Sequence, residues 1–358
     1  AISLLAETMQ DAADDPEAVR HFASRMQQES KRLAALVHEI IELSRLQVAA
    51  GWLIVLAMLL LVFVLARSLG WALHALTERL LRREPGIGLR RWHAPWLTHA
   101  AVLLAVLLSS LGIVNGLTIP QVRERQIELV DLPVQFDGLR IAVLADLHAS
   151  PVKGRARTEA IVDRTLAAGA DMIVLPGDMV DGSLQVSAAM VAPLVRLEAP
   201  LGVWLAPGNH EGYHGYLDWM DYFRGLGLGV LENQVALIQR DGATLAVSGL
   251  GDLSAQKPRA RALGVVPPDL ASVLALSEGA DLHVLLAHQP KLARQVAASA
   301  AVDLQISGHT HGGHILGMDR WLVAPFNDGF VRGSYQVQDM RLYVSPGVGQ
   351  WDGFTARL

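Results

Sequence analysis

The chain has 358 residues, of which 51% are hydrophobic and only 18% charged, against about 25% charged in an ordinary soluble domain. Its mean hydropathy is +0.31, which predicts some membrane spans joined to a water-soluble body of about two domains. With no cysteine and a net charge of −5, a disulfide scaffold, thiolate chemistry and nucleic acid as the default partner are set aside.

At the N-terminus, Asp15-Pro16-Glu17 reads as a helix start, with an N-cap, a proline at the first helical position and an acid in the first turn. Val19, Phe22, Met26, Leu33, Leu36, Val37, Ile40 and Leu43 follow at mixed three- and four-residue steps. With Ile2, Leu4, Leu5 and Met9 before them, they predict a helical hairpin over residues 1–48 that wants a partner. The stretch AISLLAETMQDAADDPEAVRHFASRMQQESKRLAALVHEIIELSRLQ resembles the dimerisation helices of bacterial sensor histidine kinases, without a histidine at that family's acceptor position. The resemblance implies homodimerisation and no phosphotransfer; His21 and His38 read as surface residues. Because it opens on Ala rather than Met, the chain reads as processed, joined or clipped.

From Leu46 to Ala66 there are 21 consecutive uncharged residues, enough for a helix of roughly 30 Å, the thickness of a hydrocarbon core. A second uncharged run between Arg91 and Arg123 has its apolar heart near 97–117, and Trp52, Trp92 and Trp96 stand close to span ends. Residues 49–117 therefore read as two transmembrane helices joined by an arginine-rich loop, 67–92. The loop carries Arg67, Arg79, Arg82, Arg83, Arg90 and Arg91. Only Lys31, Arg32 and Arg45 precede the hairpin closely, and only Arg123 and Arg125 follow it. The positive-inside rule puts the loop in the cytoplasm and the body outside it. His99 and Asn115 read as helix-packing groups.

Beyond 118, five short apolar runs each end in chemistry-bearing residues. Residues 139–144 lead to Asp146-Leu147-His148, and 171–175 to Gly177-Asp178, with Asp181 following. Residues 202–205 lead to Gly208-Asn209-His210-Glu211, 283–286 to His288, and 302–306 to Gly308-His309-Thr310-His311-Gly312-Gly313-His314. The runs read as buried strands, with helices over 158–168 and 187–197 between them. In layered α/β folds the carboxyl ends of strands carry the ligand site, so the five tails should converge. Imidazole nitrogen and carboxylate oxygen suit Zn, Mn or Fe, and a carboxylate at a strand end can bridge two ions. No Gly-x-Ser-x-Gly elbow and no phosphate-cradling glycine loop occurs.

These five tails look like the ordered motifs of the calcineurin-like metallophosphoesterases, over residues 130–358. Phe136-Asp137-Gly138-Leu139-Arg140-Ile141 and the Gly312-Gly313 pair are similar to the membrane-attached bacterial phosphodiesterase branch, which carries Gln where this chain has His314. The resemblance implies an α/β fold, a sandwich of two central β-sheets flanked by helices, for a catalytic domain spanning 118–358. It implies two divalent ions, one held by Asp146, His148, Asp178 and His311, the other by Asp178, Asn209, His288 and His309. His210 would lie outside the ligand set and act as general acid. Asp181 and Glu211 read either as acceptors that fix ligand imidazoles or, equally, as solvent-exposed or capping residues. The expected activity is phosphodiester hydrolysis at a bacterial cell membrane, on a lipid-linked or envelope-linked phosphate ester. A phosphomonoesterase or nucleotidase, and a non-catalytic membrane signalling module, are the alternatives.

Overall fold

In the computed structural model, residues 16–80, 95–315, 317–352 and 357 are described. Ile2, Leu4, Leu5, Met9, Asp15 and the arginines at 82, 83, 90 and 91 lie outside them, as do the side chains of 32–47. Helix α1, Pro16–Leu80, is continuous for 65 residues. It crosses the boundary drawn at 48 without a break and turns the first part of the expected 67–92 loop into helix. Arginine density marks a charged surface, and apart from Gly70 nothing between 67 and 80 disfavours helix. Helix α2, Pro95–Leu117, runs back beside it. Trp52 Nε1 donates to Ser110 Oγ at 3.2 Å and Arg67 Nη1 to Thr98 Oγ1 at 2.7 Å, which fixes the two helices as an antiparallel pair. Of the apolar stretches Val48–Thr77 and Trp96–Leu117, only 11% and 22% are buried. Two helices this apolar and this exposed have the length and surface of membrane spans.

The body is built on two sheets. The first is wholly parallel, in the order β1 (Ile141–Val143), β2 (Met172–Pro176), β3 (Val203–Ala206) and β4 (Gly229–Val230). Helices α3 (Arg155–Ala167) and α4 (Leu184–Val191) connect its first three strands. Both lie where the sequence predicts helix, and each starts three residues early. The second sheet holds β5 (Gln234–Arg240), β6 (Ala243–Gly249), β7 (Leu282–Leu286), β8 (Leu304–Ser307), β9 (Gly333–Val337) and β10 (Met340–Val344). Its order is β5-β6-β7-β8-β10-β9, parallel from β6 to β10 through β7 and β8, with an antiparallel strand at each edge.

Side-chain alternation explains the layering. Met172 and Val174 of β2 meet Val284 and Leu286 of β7 and Ile306 of β8 in the core between the sheets. Ile173 and Leu175 point the other way, into a core shared with Ile161, Val191 and Trp219 of the flanking helices. Strands covered on both faces need apolar residues at every position, as MIVLP and LHVLL nearly supply. The exception, His283, is buried with Ser248 Oγ 2.7 Å from Nε2 and the Ala301 carbonyl 2.9 Å from Nδ1.

Arginine ties the body to the hairpin. Arg157 Nη1 donates to the carbonyls of Leu117 and Thr118, and Arg164 Nη1 to those of Ile119 and Pro120. Arg341 Nε does the same to Glu128. The segment leaving the second span has no strand or helix partner, so its carbonyls are satisfied by these planar donors.

Candidate metal centre

The carboxyl ends of β1, β2, β3, β7 and β8 open on one edge, and there the five tails meet. Five residues at that edge hold left-handed backbone: Asp146 (φ 55°), His148 (46°), Asp178 (59°), His309 (72°) and His311 (49°). Such conformations are uncommon outside glycine and cluster where function over-determines them. Gly208 and Gly308 let the tails close. A Cβ on Gly208 would lie 2.2 Å from Asp178 Oδ1, and one on Gly308 2.4 Å from Asp146 Oδ2.

Each of the two central aspartates spends one oxygen on the backbone. Asp146 Oδ1 accepts His309 N–H at 2.8 Å, and Asp178 Oδ1 accepts His210 N–H at 2.8 Å. The second oxygens face the histidines. Asp178 Oδ2 lies 3.1 Å from His288 Nε2, 3.8 Å from His148 Nε2 and 4.0 Å from His210 Nε2. It therefore stands between two histidine groups. Asp146 Oδ2 is buried without a hydrogen-bond partner.

The imidazoles are oriented from behind. His148 Nδ1–H donates to Asp181 Oδ1 at 3.0 Å, His288 Nδ1–H to the Pro176 carbonyl at 2.8 Å, and His311 Nδ1–H to the Gly349 carbonyl at 3.2 Å. In His148 and His311 the Nε2 lone pair is thereby turned inward, the tautomer of a metal ligand, whereas His288 Nε2 meets the Asp178 carboxylate. His148 Nε2 and His311 Nε2 then face one another at 3.1 Å. His288 Nε2 faces Asn209 Oδ1 at 3.2 Å and His309 Nδ1 at 3.2 Å. Asp146, His148 and His311 form one close group of donor atoms, and Asp178, His288 and His309 another.

Burial and neighbouring charge set the protonation. Burial holds His311 well below the ordinary histidine range, helped by His314 and His148, and burial with His288 lowers His309 to about 3. Burial raises Asp146 to about 6. His288 rises to about 10, because Asp178 overcomes the burial that opposes its charge. Burial also opposes charge on His210, yet Asp178 and a hydrogen bond to Asp181 raise it to about 9.

Every residue read as a ligand from the sequence is at this edge, and His210 stands beside the donor groups with its side chain 15% exposed. Asp181 does take an imidazole, as expected; Oδ1 accepts from His148 and, at 2.6 Å, from His210 Nδ1. Glu211 does not. Its carboxylate accepts the backbone N–H groups of Asp178, Met179 and Gly208 at 3.1, 2.6 and 2.9 Å, because a Glu at the third helical position folds back to the helix start. Tyr213 and His214 flank the His210 ring, while Tyr216 and Trp219 are wholly buried in the core. Asn115 Nδ2 donates to the Arg357 carbonyl rather than across the helix pair.

Two residues at the site carried no sequence signal. Lys153 has a side chain only 2% exposed, donates to the His148 carbonyl at 3.1 Å, pairs with Asp352 and lies 3.8 Å from Asp181 Oδ2. Asp352 N–H in turn donates to Asp181 Oδ2 at 2.8 Å. The contact joins positions 199 residues apart, so only the folded chain reveals it.

This arrangement of imidazole nitrogens and carboxylate oxygens could hold divalent cations. The calcineurin-like phosphoesterase family model matches residues 139–313. An uncharacterized metallophosphoesterase of Aquifex aeolicus is 31% identical over 54% of this chain and 70% of its own length. One of Helicobacter pylori is 32% identical over 67% of this chain and 61% of its own. A transmembrane protein with metallophosphoesterase domain, from Danio rerio, is 29% identical over 71% of this chain and 58% of its own. The chain belongs to the calcineurin-like phosphoesterase family. It thus spans about three fifths of the length of the last two relatives. The family's domain lies in residues 139–313, and two exposed apolar helices long enough to cross a membrane precede it.

Proposed function

We propose that the chain is a membrane-anchored phosphodiesterase that works with two divalent cations, Mn, Zn or Fe. The observation that carries this is the 3.1 Å approach of His148 Nε2 to His311 Nε2, two inward lone pairs that repel unless a cation lies between them. The orphaned Asp146 Oδ2 fits the same reading. Asp146, His148, Asp178 and His311 would hold one ion, and Asp178, Asn209, His288 and His309 the other, with Asp178 shared. Bound there, the ions supply Lewis acidity towards phosphate oxygens and water.

The protein's own part is positional. Asp181 accepts from His210 Nδ1, which leaves Nε2 as the atom facing the donor groups. Held on Nε2 at neutral pH, the proton passes to the departing alkoxide, whose basicity makes unassisted departure slow. Glu211 fixes the Asp178 and Gly208 turns, and the Lys153–Asp352 pair fixes Asp181. The diester reading rests on the likeness to the membrane-attached bacterial branch, and a lipid-linked or envelope-linked ester is the substrate class that tethering favours. The arginine count places the body on the extracytoplasmic side, and residues 1–48 serve as a homodimerisation segment. Side-by-side assays of bis-p-nitrophenyl phosphate and p-nitrophenyl phosphate, with a C-terminal topology reporter, test the reading. Preference for the monoester, or cytoplasmic reporter activity, would overturn the corresponding part.

A further inference from the structure

We infer that residues 315–326, the segment following the Gly308–His314 tail, dip into the lipid bilayer beside the two apolar helices and seat the metal centre against the membrane surface. The inference builds on the membrane reading of α1 and α2. Ile315 is buried in one apolar cluster with Val55 of α1 and Ile113 of α2, and Met318, Val48, Trp52, Met58 and Leu59 pack around it. Positions 48 to 59 cover about 16 Å of helix, roughly half a hydrocarbon core. The segment is therefore fastened to the spans at a depth where their other faces meet lipid.

From that fastening the chain makes short helical turns at Asp319–Val323 and Ala324–Phe326. They carry Trp321 81% exposed, Phe326 73% exposed and Leu322 49% exposed. Three large apolar side chains on one short segment, continuous with a membrane anchor, form a patch that water disfavours and lipid accepts. Tryptophan at its tip is the residue that head-group interfaces favour. Exposed Arg320 adds a cation suited to anionic head groups, while Arg294 and Arg332 pair with Asp328 and Asp319. A cavity of about 1450 Å³ is lined by Asn115 and Gly116 at the end of α2, by the 118–127 segment and β1, and by His311, His314 and Arg332. Seated this way, the cavity joins the level of the head groups to an imidazole of the metal centre, and the substrate it fits is an amphiphile presenting a phosphate ester.

The absence of cysteine makes the test clean. Phe326→Cys and, separately, Leu322→Cys are labelled with nitrobenzoxadiazole in the full chain, reconstituted in nanodiscs of phosphatidylcholine and phosphatidylglycerol. Leu237→Cys, on β5 at the opposite edge of the six-stranded sheet and 56% exposed, is the reference. The expected result is blue-shifted emission at 326 and 322, quenched several-fold more by spin-labelled lipid than at 237, with iodide ineffective. Iodide quenching at 326 and 322 equal to that at 237 overturns the inference. Hydrolysis of bis-p-nitrophenyl phosphate by the same preparations separates the two readings, since its absence counts against the proposed activity and leaves the lipid contact to the quenching data.

Discussion

Asp181 receives Nδ1 of His210 at 2.6 Å on the same oxygen that receives Nδ1 of His148 at 3.0 Å. One carboxylate therefore orients both imidazoles; in the proposed reaction these are a metal ligand and the proton donor, so its loss should disturb metal holding and proton transfer together.

His210→Ala should lower kcat on bis-p-nitrophenyl phosphate by about 10²–10⁴, the usual share of a general acid. Metal content, read by mass spectrometry on the purified protein, should stay at the wild-type level. Wild-type activity in the variant would remove His210 from the reaction.

The pH profile follows from His210, whose folded value of about 9 exceeds the ordinary 6.5. Its ion pairing contributes fully below pH 6.5 and is lost as pH rises through about 9. Activity that needs the protonated ring should fall along the same basic limb. Asp181→Asn removes one cause of the raised value, so the limb in kcat against pH should move to lower pH; an unmoved limb would assign it to another group.

Gly308→Ala should abolish metal binding while sparing the fold. The added methyl would lie 2.4 Å from Asp146 Oδ2, the oxygen left without a protein partner. Calorimetric metal titration against circular dichroism of the same sample distinguishes this from general unfolding.

Glu211→Ala should cost about 1–3 kcal/mol for each buried N–H left unsatisfied, and three N–H groups depend on it. Denaturant unfolding of the metal-free chain would show the loss, since the carboxylate touches backbone and no imidazole.

Chelation should lower Tm, because Asp146 and Asp178 are then left as buried carboxylates with fewer compensating charges. Adding Mn²⁺ or Zn²⁺ at a hundredfold excess over Kd should restore about 2.7 kcal/mol. A Tm indifferent to both treatments would count against a metal centre.

The five strands that feed the site were legible because apolar runs ending in His, Asp or Asn combine a burial signal with a chemical one, whereas β4, β5, β6, β9 and β10 feed no donor residue to it and were not read. All five strand tails named from sequence are where the carboxyl edges meet. What stayed hidden were contacts set by long-range packing. Nothing local distinguishes Lys153 or Asp352 from surface charges, and both acquire their roles only when the C-terminal turn crosses the site. Glu211 shows a different limit: the sequence left it between an imidazole acceptor and a cap, and only the helix start in the folded chain decides for the cap.

The arginines that grip the backbone of 117–128 leave the hydrolase without a tether radius. A head on a flexible stalk samples a hemisphere, whereas this one travels only as its anchor travels. For the lipid-linked ester proposed above, encounter is then a two-dimensional search by lateral diffusion, and turnover should track the mole fraction of substrate in the bilayer rather than its bulk concentration.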